Sequence, residues 1–247
     1  MSFPQGYAHV PLGEVTSTLD EATRRLAEIG GPTWITATRQ TAARGRRGRP
    51  WQNPQGNFAA TLVLPGIAPE TAALRSFSAS LALFDACTAV TGRTEPFALK
   101  WPNDVLLNGG KLAGILLESL MSGGRIAGLA IGIGVNLAEA PGAEAVEPGA
   151  LRPVSLAGET GARITPDEFL EALAPAYAHW EAQLTSRGFE PLRQAWMARA
   201  ARLGEEITAR LPTEEVKGIF REVDAAGHLV LSTPDGFRRI AAGDVFF

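Results

Sequence analysis

This chain has little of what several common chemistries require. It has one cysteine, Cys87, so no disulfide can form within it. Cys87 lies inside the apolar run 81–90, where a thiol reads as a small buried hydrophobe and not as a nucleophile. It has three histidines, His9, His179 and His228, far apart and without metal-ligand spacing, so no metal site is expected. No basic segment followed by an apolar run opens the chain, which argues against a secretory signal. The apolar run 126–137 is too short to span a bilayer. These absences lead to the expectation of a cytoplasmic protein with no membrane association. Basic excess is also lacking: 23 Lys and Arg face 26 Asp and Glu, a formal net charge of −3. A dedicated nucleic-acid binder would usually be basic.

What is present suits an ordinary globular protein. The chain has 247 residues, 45% hydrophobic and 20% charged. That length allows one large domain with a small appendage. Residues 17–31 predict a helix capped by Ser17 or Thr18, with Asp20 and Glu21 at its positive end and Gly30-Gly31 stopping it. Strands are predicted at 34–38, 58–64, 97–101, 105–107, 112–120 and 125–135, and a buried helix at 74–91. Tight turns fall at Asn108-Gly109-Gly110 and Ser122-Gly123-Gly124. Residues 138–153 predict a surface loop. Thr165-Pro166-Asp167-Glu168 has the form of a capping box, opening helices at 167–186 and 190–201. From Gly204 the pattern changes to short strands at 206–211, 215–223, 229–232 and 237–240, suggesting a small barrel of SH3 size.

Four constellations carry chemical potential. The first is Arg44-Gly45-Arg46-Arg47-Gly48-Arg49, in a polar loop spanning 40–56. Its arginines repel one another, and its glycines permit sharp bends. Such a loop is expected to be mobile until an anion arrives, and guanidinium offers bidentate donors for phosphate or carboxylate. A solvated loop or a polyanion-binding patch would look the same. Trp51, close behind, could cover a ring. The second is Lys100-Trp101-Pro102-Asn103-Asp104. Pro102 biases Trp101 toward an extended conformation and ends the strand. Asn103 can both donate and accept toward a purine edge, and Asp104 can hold a metal ion or orient a neighbour. A plain turn remains the alternative. The third is Lys111-Leu112-Ala113-Gly114-Ile115-Leu116, in which Lys111 points either to solvent or into a site. The fourth is Gly132-Ile133-Gly134-Val135-Asn136, glycines in a strand where backbone or ligand approaches closely. It lacks the third glycine and following helix of a dinucleotide fingerprint.

In this order the four motifs together resemble the biotin–protein ligase family, from about Val15 to Leu137 and more weakly to the chain end. The resemblance implies an α+β fold. A mixed β-sheet flanked by helices, of class II synthetase-like type, would occupy 1–202, and a small SH3-like β-barrel 203–247. It implies ATP-dependent conversion of biotin to biotinyl-5′-AMP, then transfer to a lysine of a biotin carboxyl carrier protein, with Mg²⁺ assisting. By resemblance, Ser17, Thr18 and Gln40 meet the biotin head, and Gly114, Ile115, Gly132 and Gly134 wall its pocket. Arg44, Gly45 and Arg46 fold over the ligands. Arg46 and Lys111 are the expected catalytic pair, steadying the carboxylate and α-phosphate. Arg49, Trp51, Asn103, Asp104 and Asn136 border ATP. Asp104 is also a candidate to assist Mg²⁺ or the acceptor lysine.

Two positions depart from the family pattern: Ala43, often Gly, and Leu19, often Asn. Both concern pocket detail. Only 16 residues precede Ser17, too few for the helix-turn-helix of some family members, so no DNA partner is expected. A monomer or weak homodimer is expected. A lipoate or octanoate ligase, a non-catalytic polyanion-binding module and a non-catalytic biotin sensor are the competing readings. The first would show a His-Asp pair near an Arg-Gly loop. The second leaves Lys111 and Asn103 unexplained. The third predicts biotin binding without pyrophosphate release.

Overall fold

The computed structural model describes residues 3–142, 146 and 149–247. Part of the loop expected over 138–153 therefore lies outside the described residues.

Seven strands form the main sheet. They are β1 (Ala8–Val15), β2 (Thr33–Gln40), β3 (Phe58–Pro65), β4 (Phe97–Lys100), β5 (Asp104–Leu107), β6 (Gly110–Ser122) and β7 (Arg125–Val135), in the order β1-β2-β3-β7-β6-β5-β4. β1 runs parallel to β2, and the other neighbours are antiparallel. β1 was not expected. Pro11 and Gly13 interrupt it, and as an edge strand with no fully buried residue it shows no apolar alternation. Two turns set the centre of the sheet. Asn108 and Gly109 adopt φ of 49° and 75°, and Gly123 and Gly124 adopt 56° and 75°. Such left-handed pairs close two-residue hairpins whose twist matches the strands.

Alternation along the strands divides the sheet's two faces. Trp34, Leu62, Leu129 and Ile131 face the larger core. That core contains the helices α3 (Arg75–Thr91) and α5 (Pro166–Arg187), with α2 (Pro69–Ala72) preceding α3. The stretch Pro69–Thr91 is apolar and long enough to cross a membrane, yet 67% of its most apolar window is buried within the fold. α5 starts with the expected capping box between Thr165 and Glu168. Ile35, Val63 and Ala130 face the other way, against Leu19 and Ala22 of α1 (Thr18–Arg25). α1 is shorter than expected: after Arg25 the chain makes a 3₁₀ turn, Leu26–Glu28. Two short helices complete this part, α4 (Leu156–Thr160) and α6 (Glu190–Met197).

The C-terminal strands are β8 (Glu206–Arg210), β9 (Glu215–Val223), β10 (Leu229–Thr233), β11 (Gly236–Ile240) and β12 (Asp244–Phe246). They form a five-stranded antiparallel sheet in the order β11-β10-β9-β8-β12. β12, three residues long, carries too little pattern to be predicted. Its pairing with β8 brings the chain end back toward the main sheet. The C-terminal apolar residues Ile207, Phe220, Val223 and Leu229 join the same core as α3 and α6. The Trp101 indole N–H reaches the Gly227 carbonyl at 3.1 Å. The Trp101–Pro102 peptide bond is cis.

Candidate active site

The α1 face of the sheet carries a cleft of about 530 Å³, bounded by α1, the arginine loop, β6, β7 and β12. All the site residues expected from the sequence line this cleft, from Ser17 to Asn136.

The floor is glycine. Gly114 of β6 lies directly opposite Gly134 of β7, and Gly132 lies opposite Leu116 and Thr61. With no side chains there, the Trp51 ring settles onto Gly114 and Gly134, while Leu19 settles onto Gly132. The motif glycines therefore serve close approach. Leu19 is buried and apolar at this end of the cleft.

The α1 end is a fixed polar cluster. Ser17 is the N-cap, its Oγ accepting from the Leu19 N–H at 3.1 Å. Gln40 Oε1 accepts from the Thr18 N–H at 2.8 Å and from the Thr18 hydroxyl at 3.2 Å. Thr61 donates its hydroxyl to Thr18 Oγ1 at 2.8 Å. Thr61, absent from the sequence expectations, thus holds the hydroxyl of Thr18, which was present in them.

Charged chemistry concentrates on Asp104. Lys111 Nζ stands 2.8 Å from its Oδ1 and Lys100 Nζ 3.5 Å from its Oδ2. The sheet brings them together: Asp104 is opposite Lys100 in the β4–β5 pair, and Lys111 is opposite Leu106 in the β5–β6 pair, across a register shift between Val105 and Leu106. Burial pushes the Asp104 carboxyl up, but Lys111, Lys100 and Arg46 outweigh it and hold it below its usual range. Burial lowers the Lys100 ammonium from its usual value, with Asp104 acting against that. Lys100 was only part of a motif in the sequence. Its inward direction follows from the sheet register, and the Phe247 ring covers it at 5.7 Å. Lys111 likewise sits 5.7 Å from the Trp51 ring.

The arginine loop, expected to be mobile until an anion arrives, takes a defined conformation in the structure. Arg44 and Pro50 form a β-bridge, and Gly45 N–H donates to the Arg49 carbonyl at 2.7 Å. A turn at Arg46–Gly48 bends through left-handed backbone at Arg47 and Gly48. Its arginines divide. Arg44, at the wall of the cleft, forms a fork, with Nη1 2.7 Å from Asp20 and Nη2 3.0 Å from Glu118. The hydrogen bonds to Glu118 and Asp20 raise its pKa further. Arg46 donates to the Gly243 carbonyl at 3.0 Å and to Asn103 Oδ1 at 3.5 Å. Burial lowers the Arg46 pKa, with Asp244 opposing. Arg46, Arg47 and Arg49 all approach Asp244 of β12.

The two asparagines are largely occupied by the fold. Asn103 Nδ2 donates to the Ile115 carbonyl at 2.6 Å. Asn136 Nδ2 donates to the Val154 carbonyl at 3.1 Å, and its Oδ1 lies 3.5 Å from Asn57 Nδ2. Both line the cleft, so what they offer a ligand is the remainder of their polar capacity. Asp244, Phe246 and Phe247 also line it and were not anticipated. No sequence signal within β12 singles them out, because their role depends on two sheets meeting.

A mixed sheet carrying a cation-lined, glycine-floored cleft, closed by an antiparallel C-terminal sheet, defines an acyl-activating protein ligase fold. The chain belongs to the biotin/lipoate A/B protein ligase family, whose profile matches residues 10–136. The profile of the biotin protein ligase C-terminal domain matches residues 203–247. Among relatives, the biotin–[acetyl-CoA-carboxylase] ligase of Paracoccus denitrificans is 55% identical over 237 residues, covering 96% of this chain and 99% of that one. The ligase of the same name from Mycobacterium tuberculosis is 32% identical over 89% of this chain and 80% of its own length. The solved biotin protein ligase from Aquifex aeolicus in complex with biotin and ATP superposes with a TM-score of 0.83. It is 25% identical and covers 96% of this chain and 97% of that one.

Proposed function

We propose that this protein is a biotin–[acetyl-CoA-carboxylase] ligase. It condenses biotin with ATP to give biotinyl-5′-AMP and pyrophosphate, then passes the biotinyl group to a lysine of a biotin carboxyl carrier protein. The observation that carries this reading is the convergence of Lys111, Lys100 and Arg46 near Asp104 in a cleft with an apolar, glycine-floored end. The match to the biotin protein ligase C-terminal domain and the 55% identity to a biotin–[acetyl-CoA-carboxylase] ligase favour biotin over lipoate.

The residues fit the chemistry. An anionic carboxylate must attack an anionic phosphate, so cations have to gather both before reaction. Lys111, half-buried and on a rigid strand, steadies the carboxylate and the α-phosphate as charge shifts between them. Arg46 approaches the same point from the loop. Ser17, Thr18 and Gln40 bind the polar head of biotin, and Gly114, Ile115, Gly132 and Gly134, with Trp51 and Leu19 seated on the glycines, wall the pocket for its rings. Trp51 flanks the nucleotide, with Arg49, Asn103 and Asn136 at its border. In the second step Asp104 receives the acceptor amine, whose proton must leave before nitrogen attacks the acyl carbon.

Mg²⁺ enters with ATP as part of the substrate. Among the described residues no group of three or more His, Cys, Asp or Glu side chains could hold a resident ion. Among the described residues two carboxylates line the cleft, Asp104 and Asp244, and each is engaged by cations. Phosphate oxygens would supply the ligands Mg²⁺ prefers.

The test is incubation with biotin, Mg-ATP and a carrier domain, followed by avidin detection of the carrier and assay of pyrophosphate. Labelling with pyrophosphate release is expected. A folded protein that does neither refutes the reading, and lipoate-dependent labelling would move it to the other branch of the family.

A further inference from the structure

Thr61 is wholly buried in β3. It pairs with Ile35 of β2 and Gly132 of β7, on the face of the sheet that packs against α1. It is not among the residues that line the cleft, but lies behind them. Its neighbours on that face of β3 are Ala59 and Val63. An apolar residue would cost less in such a place, unless the hydroxyl is used.

The hydroxyl is used. Thr61 Oγ1 stands 2.8 Å from Thr18 Oγ1, which stands 3.2 Å from Gln40 Oε1. Gln40 Oε1 also accepts from the Thr18 N–H at 2.8 Å, which fixes which end of the amide is oxygen. An amide oxygen can only accept, so the single hydroxyl hydrogen of Thr18 goes to Gln40. Thr61 must then be the donor in the other contact. The relay runs one way, from Thr61 through Thr18 to Gln40.

Its consequence is polarity. The side-chain oxygens of Ser17, Thr18 and Gln40 each accept a hydrogen bond from within the protein. Among the described residues nothing accepts from Gln40 Nε2 or from the Ser17 hydroxyl. All three side chains line the cleft. What they have left to offer there is donors. A head group with a strong carbonyl acceptor satisfies them, and one without an acceptor leaves buried donors unpaired.

We propose that Thr61 is a positioning residue that sets specificity for the substrate's head group. Acting through Thr18, it holds the Gln40 amide with its oxygen bound to α1 and its NH2 group left for the substrate. The pocket then takes the urea carbonyl of biotin and disfavours the dithiolane of lipoate. The specificity rests on the ligase reading above; the relay does not.

Two measurements on the full chain test this. Thr61→Val keeps the shape and removes the donor, whereas Thr61→Ser keeps the donor. The first measurement is amide hydrogen exchange at Thr18 with no biotin added. Thr61→Val speeds it about tenfold, the scale of one lost hydrogen bond, and Thr61→Ser stays within about threefold of wild type. The second is the kinetics of pyrophosphate release with biotin and with iminobiotin, whose protonated guanidinium puts a donor where the urea has its oxygen. Thr61→Val raises the KM for biotin about tenfold and leaves kcat and the KM for Mg-ATP within about threefold. It also narrows the preference for biotin over iminobiotin, and Thr61→Ser restores that preference. Unchanged Thr18 exchange in Thr61→Val overturns the relay. Faster exchange with an unchanged KM for biotin overturns the role in specificity. Parallel losses in kcat and both KM values, with a lower melting temperature, overturn the positioning role and leave a structural one. Should Thr61→Val fail to fold, Thr61→Ser and Thr61→Ala, which differ by one oxygen, must show the same contrast, or the proposal falls. A wild-type protein that releases no pyrophosphate with biotin fails the ligase reading, and Thr18 exchange then decides the relay.

Discussion

The indole of Trp51 occupies the space that any side chain on Gly134 would need: a Cβ there would lie 2.5 Å from Trp51 Nε1 and Cε2. Such a distance is excluded, so one of the two must move. Gly134 belongs to a central strand and Trp51 to a loop, so the ring moves. Gly134→Ala is expected to cut adenylate formation at least tenfold while the melting temperature changes little. Gly114→Ala, where the corresponding contact is 3.2 Å, is expected to be milder. Pyrophosphate release and thermal melting of both variants check this; a Gly134→Ala enzyme with wild-type turnover would remove Trp51 from the nucleotide's border.

Lys111 is expected to matter most to the chemical step. Loss of one fixed charge donor at a developing anion costs about 3 kcal/mol, or on the order of a hundredfold in rate. Lys111→Ala should fall by about that factor in pyrophosphate release and in carrier labelling. Near-normal adenylate formation by this variant would assign the role elsewhere.

Asp104 gives a pH dependence of defined sign. Its folded pKa lies below the ordinary value, because Lys111, Lys100 and Arg46 together outweigh burial. Its contribution to stability is therefore complete above the unfolded carboxylate pKa of about 3.9 and fades as pH falls through the lower folded value. Asp104→Asn should melt well below wild type at pH 7, since it leaves the buried Lys100 unpaired. The two curves should approach one another below about pH 4. Melts from pH 3 to 8 decide it: a gap that widens with acidity contradicts the sign.

Cys87 should be silent. Full burial in α3 pushes its thiol up to about 12, so almost no thiolate exists near neutrality. Native protein at pH 8 should react with a disulfide reagent only as fast as it unfolds, and denatured protein should release one equivalent at once. Rapid modification of the native state would mean that α3 opens locally.

Repeats of polarity and turn chemistry made much of the fold legible. The glycine pairs at 109–110 and 123–124 announced the two hairpins, and Thr165 to Glu168 announced α5, since both are local effects of backbone conformation and capping. β1 was not legible, because an exposed edge strand containing Pro11 buries no alternating face. β12 was not legible because three residues are too few to carry a period.

The sequence by itself determined which chemistry could occur here. The order of arginine loop, KWPND, KLAGIL and glycine strand defines the family, because charge type and small size are properties of single residues. Tertiary structure alone decided how the cations are used. It turned Arg44 onto Asp20 and Glu118, brought Lys100 and Lys111 to the two oxygens of Asp104, and set Asp244 against three arginines from the other end of the chain. The physical reason is range. An ion pair forms within about 4 Å, and only packing of the two sheets on a shared core brings residues nearly 200 positions apart within that distance.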